Sequence, residues 1–294
     1  MRRRSPKARR RRRAALPSPE PQLRQHEWRG RQPIFGRLGG KTKVANLLLR
    51  YLPSDARTYV EPFAGAATLF FRRAPAEREV INDLDPDIYA MFRDFQRLSP
   101  DAIRRIDLRF DEDKFHRLLK SRPTDPAQRL ARNLYLSYNS YSNNRHSPRG
   151  PPNPVAVKRH SAPFLANFQK HVDWYKRRLR DATLSNRDYR AVMREYDAPD
   201  TLFYLDPPYV IAQDRPEMYD HHRVDPFEVA KVANAMRGRV AVSYDDLPVV
   251  REAFRGWHVT KIPIHYSVNA SKIQDTHELL LTNYDPKTFR RLRK

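Results

Sequence analysis

The sequence predicts an α/β protein with a doubly wound, mainly parallel sheet that carries helices on both faces and an inserted helical segment. Short apolar strands alternate with amphipathic helices over residues 41–98, and the same alternation returns over 182–284. Between them, residues 99–181 show helical patterns and a loop rich in Ser, Asn and Pro. A chain of 294 residues is long enough to bury the core of such a domain together with its insertion.

Each element of the sheet domain follows from the spacing of its apolar residues. In the first half the pattern predicts helices over 41–52, 66–73 and 86–98 and strands over 58–63 and 79–84. In the second half it predicts strands over 182–186, 202–205, 240–244, 258–265 and 278–284 and a helix over 189–196. Because strands that alternate with helices form βαβ units, most of these strands are expected to be parallel.

The inserted segment and an amino-terminal arm complete the expected organisation. The segment is expected to be helical over 113–120, 127–138 and 162–180. Residues 1–32 carry 12 basic and 2 acidic side chains and almost nothing to bury, so we expect a basic disordered arm. The predicted division is therefore an arm over 1–32, a main domain over 33–98 and 182–294, and an inserted subdomain over 99–181.

The charge of the chain indicates a nucleic acid as the partner. Fifty-seven Lys and Arg residues stand against 34 Asp and Glu residues, which gives a formal net charge of +23 at pH 7. Self-repulsion of this size is costly unless a polyanion is the usual partner. The range 126–180 holds 11 basic residues and one acidic residue, so the inserted segment concentrates the charge. The arm either adds non-specific phosphate contacts or is a solvated tail, and composition favours neither.

The composition also excludes several classes of mechanism. The chain has no cysteine, which excludes disulfides, zinc–thiolate sites and mechanisms that need a thiolate nucleophile. No apolar run approaches the roughly 18 residues that span a bilayer, and the Arg-rich start lacks the apolar core of a secretory signal. We expect a soluble, cytoplasmic protein that needs no metal.

A tight turn of small residues after the first strand is a candidate ligand site. The turn holds Phe63 and Gly65 and leads into a helix, so a ligand can approach backbone amides there. One glycine is too few for a dinucleotide fingerprint, and a role in helix packing alone stays open. About 20 residues further on, Asp83 ends the second strand and is placed to accept hydrogen bonds from the ribose of an adenosine-containing cofactor.

Two further carboxylates have an equally good structural explanation. Asp85 precedes a proline at the start of a helix and is a credible helix N-cap. Asp188 follows the third strand, where it would bind the amino group of a cofactor adenine or cap the next helix. Both roles stay open for Asp188.

The strongest signal is the tetrapeptide Asp206-Pro207-Pro208-Tyr209, directly after the apolar strand over 202–205. It lies at the carboxyl edge of the sheet, where α/β proteins bind ligands, and its two prolines make the turn stiff. The Asp206 carboxylate and the Pro207 carbonyl can accept both N–H bonds of an amino group such as adenine N6. Tyr209 can stack on a base that is turned out of the duplex. A rigid turn without a ligand is the alternative.

This arrangement suits methylation of an amino group. A nitrogen held in this way can attack the methyl group of a sulfonium directly, with orientation and charge placement supplying the catalysis. Methylation at cytosine C5 needs a thiolate to activate the ring. Because the chain has no cysteine, C5 methylation is excluded.

Taken together, the motifs resemble the Dam-like family of DNA adenine-N6 methyltransferases, the alpha group, whose recognition segment lies between the cofactor turn and the catalytic tetrapeptide. The resemblance implies a Rossmann-like class I methyltransferase fold and S-adenosyl-L-methionine as the cofactor. It spans about 33–284 and rests on seven motifs in the same order: Gly39-Gly40-Lys41, Val60-Glu61-Pro62-Phe63, Asn82-Asp83, the segment 134–150, the tetrapeptide, Ser243-Tyr244-Asp245-Asp246 and the segment 278–284.

The resemblance implies contacts of Lys41, Asp83 and Asp206 with S-adenosyl-L-methionine and places Phe63 beside it. The family usually has an aromatic residue four positions before the lysine, where this chain has Arg37. Phe35 and Leu38 are the candidate substitutes for that stacking contact.

The segment 135–150 is similar to the recognition loop of the family and supplies the candidate DNA contacts, because Asn can pair with adenine and Arg with guanine in the major groove. Phosphate contacts or turn formation explain the same side chains equally well. The family usually has a Phe-Asn-Gly-like turn here, which this chain lacks, so the target sequence is not carried over. The candidates are Asn143, Asn144, Arg145 and Arg149.

The predicted function is site-specific transfer of a methyl group from S-adenosyl-L-methionine to N6 of adenine in double-stranded DNA. We expect a monomer that acts by direct displacement on a flipped base and recognises its target through the inserted subdomain. The alternatives are cytosine-N4 methylation, methylation of structured RNA, and a catalytically inactive basic nucleic-acid-binding protein on the same scaffold.

Overall fold

The structure, a computed structural model, describes residues 32–36, 39–140, 168–210, 224–264 and 276–290. The helices are a 3₁₀ turn at Lys41–Lys43, α1 (Ala45–Leu48), α2 (Thr68–Arg72), α3 (Pro86–Arg97), α4 (Pro100–Arg104), α5 (Glu112–Lys120), α6 (Pro126–Asn139), α7 (168–179), α8 (Tyr189–Glu195), α9 (Pro226–Asn234), α10 (Pro248–Ala253) and α11 (Lys287–Arg290). The strands are β1 (Thr58–Glu61), β2 (Arg78–Asn82), β3 (Thr183–Ser185), β4 (Thr201–Leu205), β5 (Arg239–Asp245), β6 (His258–Ile264) and β7 (Thr276–Thr282).

The seven strands form one sheet in the order β3-β2-β1-β4-β5-β7-β6. The pairs β1–β2, β2–β3, β1–β4 and β4–β5 are parallel, whereas β7 runs antiparallel to both β5 and β6. The prediction of a doubly wound, mainly parallel sheet is confirmed. β7 lies between β5 and β6, so its amino-terminal end reaches the edge of the sheet where β5 ends.

Two apolar cores lie on opposite faces of this sheet, as the doubly wound arrangement requires. Successive strand residues alternate between them: Tyr59 and Tyr204 face one core, and Val60 and Phe203 face the other. The first core holds side chains of α1, α2, α3, α6 and α7, and the second holds side chains of α8, α9 and α10. Because both faces of the sheet are covered by helices, a ligand can reach the sheet at the ends of its strands.

Several predicted elements are shorter in the structure, and the local reason is clear for three of them. The helix expected over 41–52 is a 3₁₀ turn followed by the four-residue α1; Pro53 disfavours helical backbone at the residue before it. β1 ends at Glu61 because Pro62 has no N–H for the ladder. β2 ends at Asn82, since the next residue, Asp83, binds the turn after β1 instead of continuing the strand.

The prediction missed four of the described helices, α4, α9, α10 and α11, of which the first three begin at a proline. In α4 and α9 the proline follows a capping residue, Ser99 or Asp225, whose side chain accepts a backbone N–H of the first turn. A capping residue followed by proline is a recognised helix start, so the signal was present in the sequence. These helices are short, so their apolar spacing alone did not indicate them.

A buried ion cluster joins α7 to the sheet. The Arg178 guanidinium donates to both oxygens of Glu79 and to the Phe70 carbonyl, while Arg73 donates to Glu79 at 3.2 Å. All three charged side chains are at most 7 % exposed. The cluster places α7, predicted as the end of the insertion, on the same core as α2 and α3. The division into a main domain and a recognition subdomain over 99–181 stays a prediction.

Within the described ranges, no helix is long and apolar enough to cross a membrane.

Candidate active site

The carboxyl ends of the parallel strands bring the predicted site residues together. β1 and β4 are neighbours, and the chain leaves them towards opposite ends of the sheet. Such a switch point is where open α/β sheets bind ligands. The loops that follow β1, β2 and β4 carry Gly65, Asp83 and Asp206, respectively.

Lys41 and Asp206 form an ion pair at this edge. The Lys41 Nζ lies 2.8 Å from Asp206 Oδ1 and also donates to the Gly39 carbonyl at 3.2 Å. Lys41 is 5 % exposed, whereas Asp206 keeps 21 % of its side-chain surface accessible. Two residues from separate motifs, more than 160 positions apart in the sequence, therefore form one charged unit that a ligand can reach.

Tyr209 closes one side of this unit. The Lys41 ammonium lies 4.6 Å from the centroid of the Tyr209 ring, within the range of a cation–π contact. The centroid of the Tyr244 ring lies 6.0 Å from that of the Tyr209 ring. Burial raises the pKa of Tyr209 well above its usual range, so the hydroxyl stays protonated. Pro207 is buried and Pro208 only partly exposed, which fits a stiff turn.

The turn after β1 is bound to the end of β2. The Gly65 amide donates to Asp83 Oδ2 at 2.8 Å, and the Asp85 amide donates to Asp83 Oδ1 at 2.9 Å. Gly65 and Ala67 have φ values of +50° and +51°, in the left-handed region that L side chains rarely adopt. Strained backbone of this kind persists only where its surroundings hold it, and it concentrates at binding sites.

Leu84 is a site candidate that the sequence prediction missed. Its side chain is 42 % exposed, one of the few large apolar side chains on the described surface, and it directly follows Asp83. On the neighbouring side Phe63 stacks on Tyr189 with ring centroids 4.8 Å apart. The edge thus offers an acidic group beside apolar surface, a pairing that suits an adenosine group. The signal was the placement of a leucine between two aspartates at a strand end.

Asp188 and Asp85 both have the structural role that the sequence left open. Asp188 accepts the Arg190 amide at 2.8 Å as the N-cap of α8 and pairs with the Arg190 guanidinium through both oxygens. This pairing lowers the pKa of Asp188. Asp85 accepts the amides of Asp87 and Ile88 as the N-cap of α3. A contact of Asp188 with a cofactor adenine stays a prediction.

Asn82 holds the loops of the site together, a role that the sequence did not indicate. Its Nδ2 donates to the carbonyls of Pro62 and Arg187 at 2.8 and 2.9 Å, and its Oδ1 accepts the Arg187 amide at 3.0 Å. The side chain is 1 % exposed. One amide therefore fixes the loops after β1 and β3 relative to β2.

Glu61 is a buried carboxylate at the end of β1. It accepts hydrogen bonds from the Tyr59 hydroxyl at 2.8 Å and the Phe70 amide at 2.7 Å. Burial raises the pKa of Glu61 to about 7, although both hydrogen bonds act in the opposite direction. The group thus titrates near neutrality beneath the ligand edge.

Glu278 at the start of β7 is the second carboxylate beside Lys41. One of its oxygens lies 3.8 Å from the Lys41 Nζ, and the residue is 7 % exposed. In the sequence it belonged to a motif of the resemblance without a role of its own. A single acidic residue directly before three leucines was the available signal.

Some predicted residues cannot be placed or have another role. Phe35 is 1 % exposed and packs on Phe92 with ring centroids 5.2 Å apart, so its ring belongs to the core and is not free to stack on a cofactor. Leu38 and Arg37 lie outside the described residues. So do all four candidate DNA contacts, Asn143, Asn144, Arg145 and Arg149.

The described ranges contain no group of three or more acidic or histidine side chains that could hold a metal ion. This edge offers a carboxylate that can accept N–H bonds, an aromatic ring beside it, and the acidic Asp83 next to the exposed Leu84 two strands away. These features define a Rossmann-like methyltransferase that acts on an amino group.

Comparison with known proteins identifies the family within this class. The model of the D12 class N6 adenine-specific DNA methyltransferases matches residues 38–267, and the chain belongs to that family. It is a DNA methyltransferase of the N6 adenine-specific class.

Two relatives are similar over much of the chain. The type II methyltransferase M.CviBI of Paramecium bursaria Chlorella virus NC1A is 27 % identical over 183 residues, which cover 60 % of this chain and 69 % of the relative. The modification methylase StsI of Streptococcus sanguinis is 24 % identical over 285 residues, which cover 86 % of this chain but only 43 % of the relative.

Proposed function

We propose that the chain transfers the methyl group of S-adenosyl-L-methionine to N6 of adenine in double-stranded DNA, with Asp206 as the acceptor that orients the amino group. The observation that carries the proposal is the accessible Asp206 carboxylate at the carboxyl end of β4, held by Lys41 and flanked by Tyr209. The reaction is inferred from the family, and its proposed location is inferred from the Lys41–Asp206 ion pair.

The residues at the edge fit S-adenosyl-L-methionine. Asp83 is pre-positioned by the turn amide of Gly65 and stands at the strand end where ribose hydroxyls are bound in such folds. Leu84 offers exposed apolar surface to a planar base. Asp206 and Glu278 give the neighbouring part of the site two carboxylates for one ammonium, which suits a positively charged group. When bound, the cofactor supplies a methyl group on a sulfonium.

Asp206 and Pro207 orient the nucleophile. The carboxylate and the Pro207 carbonyl accept the two N–H bonds of the adenine amino group, so the lone pair of the nitrogen points away from the turn. Tyr209 stacks on the flipped base and holds its plane. Bound beside Asp206, the sulfonium would supply the methyl group that this nitrogen takes up, and Asp206 is the proposed acceptor for the proton that the nitrogen then loses. No covalent enzyme intermediate is needed.

The DNA is held by the positive charge of the chain and read by the inserted subdomain. The net charge of +23 supports phosphate contacts, and Asn143, Asn144, Arg145 and Arg149 are the proposed base-reading or phosphate-binding residues. One chain carries every proposed catalytic residue, which supports action as a monomer. The names of the two relatives support a role as a modification enzyme of a restriction–modification system.

The test is to incubate the purified chain with S-adenosyl-L-methionine carrying a deuterated methyl group and duplex DNA of mixed sequence. Nuclease digestion and mass spectrometry should show N6-methyladenine with the deuterium label. Labelled N4-methylcytosine would refute the choice of base, and label in a structured RNA but not in DNA would refute the choice of substrate. Calorimetric titration with S-adenosylhomocysteine checks cofactor binding independently, because an inactive nucleic-acid binder should release no heat.

Light scattering of the enzyme, alone and bound to a short duplex, checks the monomer. A mass of two chains on the duplex at the concentration of the assay would contradict it.

A further inference from the structure

We propose that Glu278 is a positioning residue for methyl transfer: it holds the Lys41 ammonium between two carboxylates and so sets the orientation in which Asp206 receives the amino group. The proposal rests on the function proposed above for Asp206. It gives the antiparallel strand β7 a part in the site, which otherwise consists of the turn at Lys41 and the loops after parallel strands.

The position of Glu278 follows from the sheet. β7 runs antiparallel to β5, and Glu278 pairs with Asp245, the last residue of β5. The start of β7 is thereby brought to the carboxyl edge of the parallel strands, beside the tetrapeptide after β4. The next three residues of β7, Leu279–Leu281, are fully buried leucines, so Glu278 is the point where an apolar strand meets the site.

The contacts of Glu278 are with the catalytic unit. One carboxylate oxygen lies 3.8 Å from the Lys41 Nζ, which itself lies 2.8 Å from Asp206 Oδ1. Burial raises the pKa of Glu278, and the nearby Tyr209 hydroxyl opposes part of that rise. The ammonium therefore lies between two carboxylates and over the face of Tyr209. Glu278 therefore lies next to both Lys41 and Tyr209, the two side chains that flank Asp206.

A carboxylate here is costly to the fold. Glu278 is 7 % exposed, and burial raises its pKa above the ordinary value for a glutamate. A buried carboxylate with only a partial counter-charge is usually less stabilising than an apolar side chain of similar volume. Because Lys41 already has Asp206 as a close partner, the ammonium does not require Glu278 for neutralisation. Placement of the Lys41 ammonium over Tyr209 explains why a carboxylate is buried here despite its unfavourable desolvation.

Sharing the ammonium has a chemical consequence. With Asp206 as its single carboxylate partner, the Lys41 ammonium, 2.8 Å from Oδ1, could shift along that carboxylate towards Oδ2 and withdraw charge from the oxygen that accepts the adenine N–H bond. With Glu278 on the other side, the ammonium is held at a defined place and the site keeps a net negative charge. That charge favours the positive charge that develops on the adenine nitrogen during the transfer.

The test is the variant Glu278→Gln, which keeps the shape of the side chain and removes its charge. We expect kcat for DNA methylation to fall about 10- to 100-fold, the loss typical of a small misplacement of a reacting group. KM for DNA and the Kd for S-adenosylhomocysteine should change less than about threefold, since S-adenosylhomocysteine lacks the sulfonium charge and Glu278 is proposed to act on the transfer itself. The matched control is Thr282→Val, another buried polar residue of β7, whose hydroxyl donates to the Tyr284 carbonyl at 2.8 Å; its kcat should stay within about twofold.

A double-mutant cycle separates positioning from a general effect on folding. If Glu278 acts through Lys41, Glu278→Gln should lower kcat less than about threefold in a Lys41→Met background. The proposal would be overturned if the kcat losses of the two single variants simply multiplied in the double variant. It would also be overturned if Glu278→Gln raised KM for DNA by as large a factor as it lowered kcat.

Urea unfolding of the same four proteins gives a readout without catalysis. The double variant should unfold at a higher urea concentration than the two single shifts predict, because the pair interaction is lost only once. Additive shifts would overturn the contact itself, even if the wild-type chain proved to methylate something other than adenine in DNA. Absence of N6-methyladenine with a coupled urea cycle would instead refute the proposed function while leaving the contact established.

Discussion

Replacing Asp206 with asparagine tests the proposed mechanism most directly, because the change is isosteric and its consequence can be worked out from the ion pair. The Lys41 ammonium has only donors, and it lies 2.8 Å from Asp206 Oδ1. In the Asp206→Asn variant the amide oxygen must therefore take the place that faces Lys41. The NH₂ group then takes the place of Oδ2, where it meets the adenine N–H donors instead of accepting from them.

The expected loss is large. Removing one pre-organised partner of the reacting group costs about 3 to 4 kcal/mol of transition-state stabilisation, which is roughly 10²- to 10³-fold in kcat. Stability should fall by no more than about 1 to 3 kcal/mol, since Glu278 still lies 3.8 Å from the ammonium. Single-turnover methylation of a duplex, followed by mass spectrometry, measures the first effect and urea unfolding the second.

The control is Asp101→Asn, which makes the same chemical change on an exposed surface of α4 where the carboxylate is 76 % accessible. DNA affinity of Asp206→Asn, measured by fluorescence anisotropy at fixed salt, should stay close to that of the wild type. A kcat within about tenfold of the wild type, or a parallel loss of turnover and DNA affinity, would refute the role given to Asp206.

Three further predictions follow from the same edge. Asp83→Ala should weaken S-adenosylhomocysteine binding about 10-fold or more, by calorimetry, because it removes both the acceptor and the bond that orders the Gly65 amide; an unchanged Kd would contradict this. Tyr209→Phe should keep most of the activity and Tyr209→Ala should lose it, since stacking of the base needs the ring; equal kcat values would exclude stacking. Glu61 is expected to make the fold less stable as pH rises: its pKa is about 7 in the folded chain, so between roughly pH 4.5 and 7 the native state binds more protons than the unfolded state. Between these two pH values the unfolding free energy of the wild type should therefore fall by about 3 kcal/mol more than that of Glu61→Gln. Urea unfolding of both proteins at both pH values measures the difference. Equal falls in the two proteins would show that the pKa of Glu61 is not raised.

The sequence places the candidate site residues at strand ends because that placement depends on local patterns. The tetrapeptide at Asp206 directly follows an apolar strand, and a strand end in an α/β sheet lies at the ligand edge whatever the rest of the chain does. The position of Asp83 after the second strand follows from the same rule. The family comparison supports this part, since its model covers the motifs from Lys41 to the tetrapeptide.

Local patterns were weaker guides where a residue had two possible partners. The sequence left Asp188 between a helix cap and a cofactor contact, and the structure shows the cap and an ion pair with Arg190. Phe35 was a candidate for cofactor stacking, but its ring packs on Phe92 in the core. In both cases the deciding neighbour is a side chain whose orientation the sequence pattern does not give.

By itself, the sequence determined the fold class, the order of the strands along the chain and the residues at their ends, because hydrophobic spacing and turn residues act over a few positions. Tertiary structure alone decided which of those ends meet. Strand β7 enters the sheet antiparallel between β5 and β6, and this places Glu278 beside Lys41 although 237 positions separate them in the chain. The two carboxylates around one ammonium are a product of long-range pairing, which no local pattern of residues contains.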